Sequence, residues 1–486
     1  MKKTILFSVL LTLGFSSCNA VLDEDVYSQL DPSTLFRSSN GIERVLFGAY
    51  EYAQINGNFG GNMHFQEEWT CDQFWETGGA VNQQAVPMLN FTFDASYPTH
   101  WTNLWNRFYK SIRNCNLVLE NLENSPIDED TKSLIEAEAR FIRASVYYKA
   151  QSLWGGVPLK TKTTDPANMA RASSEKIGEF VEAEMLAAAE VLPNAGERSG
   201  YQYGRATKGA AMGYLCKYYL NSKQWQKCAE MAKKIMELGI YELWPDYTTL
   251  FTVDNEQTNK EFIWVYTCSA NGTGNEEMCG AFPPSFKSTV DGKIVFTDNM
   301  RNWARQDRVR DSFYNSFDPK DKRRELLITE YINTNGKTVS LLNNDNVRSF
   351  KYIPDINAVG NVHGNDIPVI RYADILLSRA EALNELNGPN QESIDLIQMV
   401  RDRAGLMDKL NVSDFTKETL RERILDERGW EFYQENLRRQ DLIRNGTFIS
   451  RAKERVGDYV DEHFLVFPIP QTEIDANSLC EQNPEY

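Results

Sequence analysis

Residues 205–239, RATKGAAMGYLCKYYLNSKQWQKCAEMAKKIMELG, decide the fold class. Their periodicity predicts two helices, at about 206–220 and 224–238, joined by a short polar turn. In the first, the small residues Ala210, Ala211 and Gly213 permit close approach of helix backbones. In the second, Trp225, Cys228, Met231, Ala232, Ile235 and Leu238 recur at helical spacing and offer one apolar stripe. A hairpin of this size cannot bury its stripe alone, so it requires neighbours of its own kind.

The rest of the chain supplies them. The hairpin resembles a tetratricopeptide unit, and a second one follows in DIPVIRYADILLSRAEALNELNGPNQESIDLIQMVRDRAGL, Asp366 to Leu406, with its turn at Asn387-Gly388-Pro389-Asn390. A further helix is expected from Asn40, where Glu43 completes a capping-box pattern, to about Ile55. Others fall at about 101–122, 173–191 and 416–444. At about 131–153, Ile135, Ala139, Ile142, Val146, Ala150 and Leu153 share a face, and Trp154-Gly155-Gly156-Val157-Pro158 stops the helix. Residues 56–100 read as loop.

Over 240–367 the helical period fades, Asn, Gly, Asp and Pro become frequent, and EFIWVYTC has short β-like character. Loops this long in a compact protein are functional or carry small elements of their own. The expectation is a mostly α protein. Tetratricopeptide-like helix–turn–helix repeats at about 39–240 and 366–445 form a scaffold. A loop-rich, irregular, minor-β insert at about 241–365 carries the ligand site, and an irregular tail covers 446–486. All of 39–486 counts as one domain.

The N-terminus reads MKKTILFSVLLTLGFSSC. Lys2 and Lys3 precede an apolar run from Ile5 to Leu13, the right length for a secretory signal and too short to span a bilayer. Residues 1–17 are thus a signal peptide, and Ser16-Ser17-Cys18 resembles a bacterial lipoprotein signal in which Cys18 is acylated. Phe15 departs from that pattern, which usually carries an aliphatic residue there. Residues 18–38 form an extended, lipid-anchored leader. Losing Lys2 and Lys3 takes the formal charge from −16 to −18. So acidic a surface repels phosphate backbones, which argues against nucleic-acid binding. With Cys18 acylated, seven of the eight cysteines remain. Their spacing shows no disulfide framework; Cys268 and Cys279 either bridge or belong to a set of free buried thiols. The four histidines are scattered and no metal-ligand motif occurs, so no metal site is expected. A loop-bound Ca²⁺ is left open, although the Asp-rich pieces lack EF-hand spacing.

Several segments, in order, resemble the SusD/RagB family of outer-membrane nutrient-binding lipoproteins of Bacteroidetes. They are CNAVLDEDV, WNRFYKSIRNCNLVLENL, EAEARFIRASVYYKAQSLWGGVPL, GRATKGAAMGYLCKYYL with WQKCAEMAKKIMELGIYEL, RYADILLSRAEALNEL with VRDRAGL, ILDERGWEFYQENLRRQDLIRNGTF, and the terminal FPIPQTEIDANSLCEQNPEY. The resemblance covers nearly the whole mature chain. It implies a lipid-anchored protein on the exterior face of the outer membrane. Such a protein binds oligosaccharide or polysaccharide and hands it to a TonB-dependent transporter of the SusC type.

The residues give these motifs mainly structural work. Glu138, Arg140 and Arg143 suit an ion network at a helix crossing. Glu427, Arg428, Glu431, Arg438 and Asp441 permit pairs at i,i+3 and i,i+4. Glu427 and Glu431 do not suit acid–base catalysis, because flanking arginines depress carboxylate pKa values and an acid catalyst needs a raised one. Trp101 and Trp105 have core spacing, and the proline-set tail FPIPQTEIDAN is expected to pack on the helical body.

Sugar recognition calls for exposed rings against C–H faces and for polar forks against hydroxyls. Two segments fit. FGGNMHFQEEWTCDQFWETGGAVNQQ holds Trp69, Asp72, Trp75 and Asn82. AFPPSFKSTVDGKIVFTDNMRNWARQDR holds Phe286, Asn299, Arg301, Trp303 and Arg305. These nine are the candidate ligand residues; the same rings could instead cap small clusters beneath the loops. The resulting expectation is a non-catalytic glycan-binding lipoprotein. The alternatives are the same scaffold binding peptide or another nutrient, an all-α glycoside hydrolase, for which no carboxylate pair is marked, and an envelope lipoprotein without ligand.

Overall fold

The helical periods become helices that pack one on the next. The computed structural model describes residues 35–38, 40–55, 66–76, 82–96, 99–198, 203–254, 258–272, 274–304 and 307–486. The signal peptide, Cys18, most of the leader and Arg305 lie outside them. In the first half, α1 is Gly41–Ala53, α2 Gln66–Trp69, α3 Asn82–Asn90, α4 Thr99–Asn121, α5 Glu129–Trp154, α6 Ser174–Val191, α7 Lys208–Asn221 and α8 Trp225–Glu237. In the second, α9 is Glu277–Ala281, α10 Asp311–Ser316, α11 Tyr372–Asn387, α12 Gln391–Arg403, α13 Lys417–Phe432, α14 Arg438–Arg444, α15 Phe448–Val456 and α16 Gln471–Ala476. Helix α4 packs on α1 and α5, α5 on α6, α6 on α7, α7 on α8, α8 on α11, and α11 on α12 and α13. This is the stacking of helix pairs that the opening hairpin called for.

Local chemistry sets the helix ends. Asp128, Ser173 and Thr207 accept from the third backbone N–H beyond them. Gly155, at φ +71°, ends α5 where the breaker sequence placed the stop. At the turn after α11, Asn390 caps α12 through the Ser393 N–H.

Several local expectations are corrected. Asn40 has αR backbone and makes no side-chain cap, so the capping box is absent. Residues 56–100 are not all loop, since α2, α3 and a strand fall among them. Gly213 serves a close approach, but to a strand: a Cβ there would sit 3.0 Å from Ile370 side-chain atoms. The helix expected over 416–444 is two, α13 and α14. Between them Gln434 and Asn436 adopt φ of +62° and +60°. Their N–H groups donate to the buried Glu68 carboxylate at 3.2 and 2.6 Å. The tail is less irregular than expected, holding α15 and α16. It packs as expected: Phe467 is fully buried, its N–H donates to the Leu153 carbonyl at 2.7 Å, and its ring lies 4.5 Å from Trp101.

The insert carries short strands. The expected strand β2 (Phe262–Tyr266) pairs antiparallel with β9 (Ile367–Arg371) against α7. Strand β1 (Phe74–Glu76) pairs with β4 (Asp307–Val309). β3 (Phe286–Ser288), β6 (Glu330–Asn333) and β7 (Thr338–Ser340) form a small sheet, and β5 (Leu327–Ile328) pairs with β8 (Arg348–Ser349). Two hydrophobic clusters result. One fills the helical scaffold. The other is made by the insert together with Phe74 and Tyr433.

Buried ion pairs join the insert to the scaffold. Arg371 on β9 contacts Glu261, Glu431 (3.0 Å) and Glu435 (2.7 Å). Arg403 contacts Glu261 (3.0 Å) and Glu431. Arg323 contacts Asp321 (2.7 Å), Glu427 (2.7 Å) and Glu431 (3.2 Å). Arg428 pairs with Asp374 and Asp441. The acidic residues of α13 therefore work mostly through long-range pairs rather than the intrahelical ones expected, because their helix face is buried. Glu138 also departs from expectation. It pairs with Arg198 and Arg205, whereas Arg140 and Arg143 reach Glu184. Residues two apart on a helix do not share a face.

Candidate functional site

The two candidate segments meet at β1 and β4. Their register sets Phe74 opposite Val309, Trp75 opposite Arg308 and Glu76 opposite Asp307. Strand alternation then sorts the side chains. Phe74, Val309, Glu76 and Asp307 point inward and are buried, while Trp75 and Arg308 are half-buried on the outer side. The Arg308 guanidinium lies over the Trp75 ring, 4.9 Å from its centroid, in cation–π geometry. The indole N–H of Trp75 donates to the Asp345 carbonyl at 2.6 Å, which fixes the ring's orientation.

The neighbouring loop is also fixed through its backbone. The Asn299 carbonyl accepts from the Gly360 N–H at 2.7 Å, and the Arg301 N–H donates to the Gly360 carbonyl at 2.6 Å. Trp303 donates its N–H to the Cys279 carbonyl on α9 at 2.9 Å, and α9 packs against β4. The side chains of Asn299 and Arg301 are exposed and that of Trp303 is half-buried. The loop that leads into β4, its backbone held to Gly360 and to α9, thus presents an amide and a guanidinium to solvent with a half-buried ring.

Of the other candidates, two rings are corrected. Trp69 is 1% exposed in the scaffold core, and Phe286 is 1% exposed in the insert core, 5.4 Å from both Phe282 and Phe350. Neither ring has a face to offer. Asp72 pairs with Arg438 at 2.9 Å and with Arg451. Burial pushes its carboxyl up, but the two arginines override this and hold it well below the usual carboxylate range. It fastens the β1 loop to α14 and α15. Asn82 is half-buried at the start of α3, which packs beside β1. Trp101 and Trp105 lie in the core as expected.

Beneath the ring side is a group of carboxylates that the sequence did not signal. Glu76 and Asp307 are cross-strand neighbours, and like charges so placed repel. Burial and then Asp307 push Glu76 up to about 8. Burial pushes Asp307 up to about 7, opposed by Arg348. Fully buried Glu277 on α9 is also raised, by burial and then by Asp307, Glu68 and Glu276. Space here is so tight that a Cβ on Gly280 would sit 2.0 Å from an Asp307 carboxylate oxygen. Only strand pairing reveals the group, since Glu76 and Asp307 are 231 positions apart. It faces inward, away from the rings.

Burial likewise pushes the Glu431 carboxyl up, yet Arg403, Arg371 and Arg323 bring it down to about 2, the wrong direction for an acid catalyst. Cys268 and Cys279 are not bridged to each other, and Cys71, Cys115, Cys216, Cys228, Cys279 and Cys480 are free thiols. Among the described residues, no group of three or more His, Cys, Asp or Glu side chains converges as a metal would require. No helix among them is long and apolar enough to cross a membrane.

Two family models match the chain. One, described as the SusD family, covers residues 255–486. The other, described as starch-binding associating with outer membrane, covers residues 21–220. A SusD-like protein of Formosa agariphila is 24% identical over 98% of this chain and 97% of its own. The starch-binding protein SusD of Bacteroides thetaiotaomicron is 24% identical over 83% and 82%. The solved structure of a laminarin-binding SusD-like protein superposes with a TM-score of 0.80 at 23% identity, covering 93% of this chain and all of that one. Where the names of these relatives state an activity, it is binding and not catalysis. With related models matching on both sides of residues 221–254, relatives aligned along nearly its full length and the same mostly helical fold, the chain belongs to the SusD family.

Proposed function

We propose that the protein is a non-catalytic surface lipoprotein that binds oligosaccharide or polysaccharide at the Trp75–Trp303 face. It then delivers the glycan to a TonB-dependent transporter of the SusC type. Acylated Cys18 anchors it in the outer membrane facing the exterior, and the leader gives the helical body its reach. The observation that carries the reading is the β1–β4 pairing. It mounts a fixed, half-exposed tryptophan on the strand pair into which the backbone-pinned loop bearing Asn299, Arg301 and Trp303 leads. Rings of this kind take the C–H faces of a sugar, and the amide and guanidinium take its hydroxyls. The starch- and laminarin-binding relatives support the ligand class.

The test is calorimetric titration of the whole chain against a polysaccharide panel. Trp75→Ala and Trp303→Ala should each weaken binding by about 3- to 10-fold, the worth of one aromatic contact, with the melting temperature nearly unchanged. If affinity falls only where the fold melts, the surface-platform reading is wrong. Release of reducing sugar by the pure protein would replace it with an enzyme, and tight binding of peptides alone with a peptide receptor.

A further inference from the structure

Arginines gather on the ring side of β1–β4 in a chain whose formal charge is −16. Arg308 covers Trp75. Two residues on, Arg310 shares that face by strand alternation, about 7 Å along the backbone. Its own backbone is fixed, because the Arg310 N–H donates to the Gln73 carbonyl at 2.9 Å. Its guanidinium is not: among the described residues it closes no hydrogen bond or ion pair, and its Nε is buried without a partner. Asp345 and Asp72 are near enough to be felt, and so is the cationic Arg455. Both acids are engaged elsewhere. Asp345 accepts the Asp311 N–H at 2.7 Å, and Asp72 is clamped by Arg438 and Arg451. Arg455 donates to the Thr70 and Cys71 carbonyls and so adds charge without neutralising any. Exposed Arg301 stands on the adjoining loop.

Buried arginines elsewhere in this molecule are treated in more than one way. Arg323, Arg371, Arg403, Arg428 and Arg444 each contact at least two carboxylates. Arg348 and Arg439 pair with none, but both are fully enclosed. Arg310 differs from both sets: it is unmatched, only half-buried, and shares a face with a half-exposed ring.

We infer that the Trp75 face is built for an anionic glycan, whose carboxylate or sulfate is taken by Arg310 with Arg308 and Arg301 while a sugar ring lies against Trp75 and Trp303. The inference rests on the proposed function and narrows it. A guanidinium forks onto carboxylate or sulfate oxygens with two parallel N–H donors, which a neutral sugar cannot reciprocate. Burial raises both inward-facing Glu76 and Asp307, so at neutral pH the pair carries less negative charge than two exposed carboxylates would.

The experiment titrates the whole chain, wild type and variants, with three probes: neutral laminarin, carboxylated polygalacturonate and sulfated carrageenan. Each is measured in low and in moderate salt. At least one anionic polymer should bind ten-fold or more tighter than laminarin, and only that binding should weaken several-fold with salt. Which polymer it is separates carboxylate from sulfate. Arg310→Gln should cost that ligand ten-fold or more, Arg310→Lys should recover part of the loss, and Trp75→Ala should also weaken it, which ties the anion to the same face. Should Arg310→Gln lower the melting temperature, exposed Arg301→Gln provides the same test without touching the strand. Laminarin binding that equals or exceeds anionic binding, or anionic binding indifferent to both arginines, overturns the inference and leaves the glycan-binding proposal standing. Failure of all three probes together with the wider panel overturns both.

Discussion

At the seam between scaffold and insert, Arg323, Arg371 and Arg403 each touch two or three carboxylates, and every member of the group is buried. Under the Trp75 face the arrangement is reversed. Glu76 and Asp307 oppose one another, and among the described residues both buried Glu76 carboxylate oxygens lack a hydrogen-bond partner and Arg310, on the other side of the ladder, closes no pair. Both regions bury charge. Where pairing is complete, burial holds two units of the chain in one geometry. Where it is incomplete, stability is given up, and such places gather at binding sites. Incomplete pairing alone does not mark a site, since fully buried Arg439 in the scaffold also lacks a carboxylate; the Trp75 face combines it with a half-exposed ring.

The comparison can be broken most severely at its paired side. Glu431→Ala removes the carboxylate shared by Arg323, Arg371 and Arg403. Breaking a buried pair costs about 3–5 kcal/mol because the surviving charge stays buried, and three guanidinium groups lose a partner here, so the cost should reach the top of that range. Urea unfolding should show the midpoint fall sharply. An unchanged midpoint would mean that the network fixes geometry without contributing stability. Next come two tryptophans six positions apart. Trp69→Ala should cost about 3–5 kcal/mol by opening a cavity in the scaffold core. Trp75→Ala should cost under about 1 kcal/mol and act on binding instead. Reversal of that order would place the site elsewhere.

That pair of tryptophans also shows what one sequence can tell. The helical periods of α5, α7, α8 and α11 were legible because burial of a stripe leaves a 3.6-residue signature. The joining of β2 to β9 was not, because pairing partners about a hundred residues apart leave no local trace. The same limit applied at the site. The sequence marked two aromatic segments and the structure brought them together. Trp69 ends a four-residue helix and Trp75 sits in a three-residue strand, both too short for a period that shows which ring faces out. Phe286 failed for the same reason, lying in a short strand of the insert's own core. Arg310 and the Glu76–Asp307 opposition were invisible, since their meaning comes from what does or does not stand across the ladder.

The smallest expected effect tests the unpaired side directly. Burial, and then Asp307, push the Glu76 carboxyl up from 4.5 to about 8 in the folded chain. A group that holds its proton more tightly when folded contributes stability that is complete below the unfolded value. That contribution is lost as pH rises through the folded one. Between about pH 4.5 and 8 the wild type should therefore lose stability from this group, with Asp307 contributing in the same sense. Glu76→Gln is nearly isosteric and cannot ionise. Its melting temperature should match the wild type near pH 5 and exceed it near pH 8.5, by the equivalent of about 1 kcal/mol or more. Parallel curves for the two proteins would mean that Glu76 is ionised and satisfied in the folded state, and the contrast between the two buried charge groups would disappear. The same variant also carries a binding signature. If ionised Glu76 screens Arg308 from across the ladder, an anionic ligand should weaken for the wild type above about pH 8 and should not for Glu76→Gln.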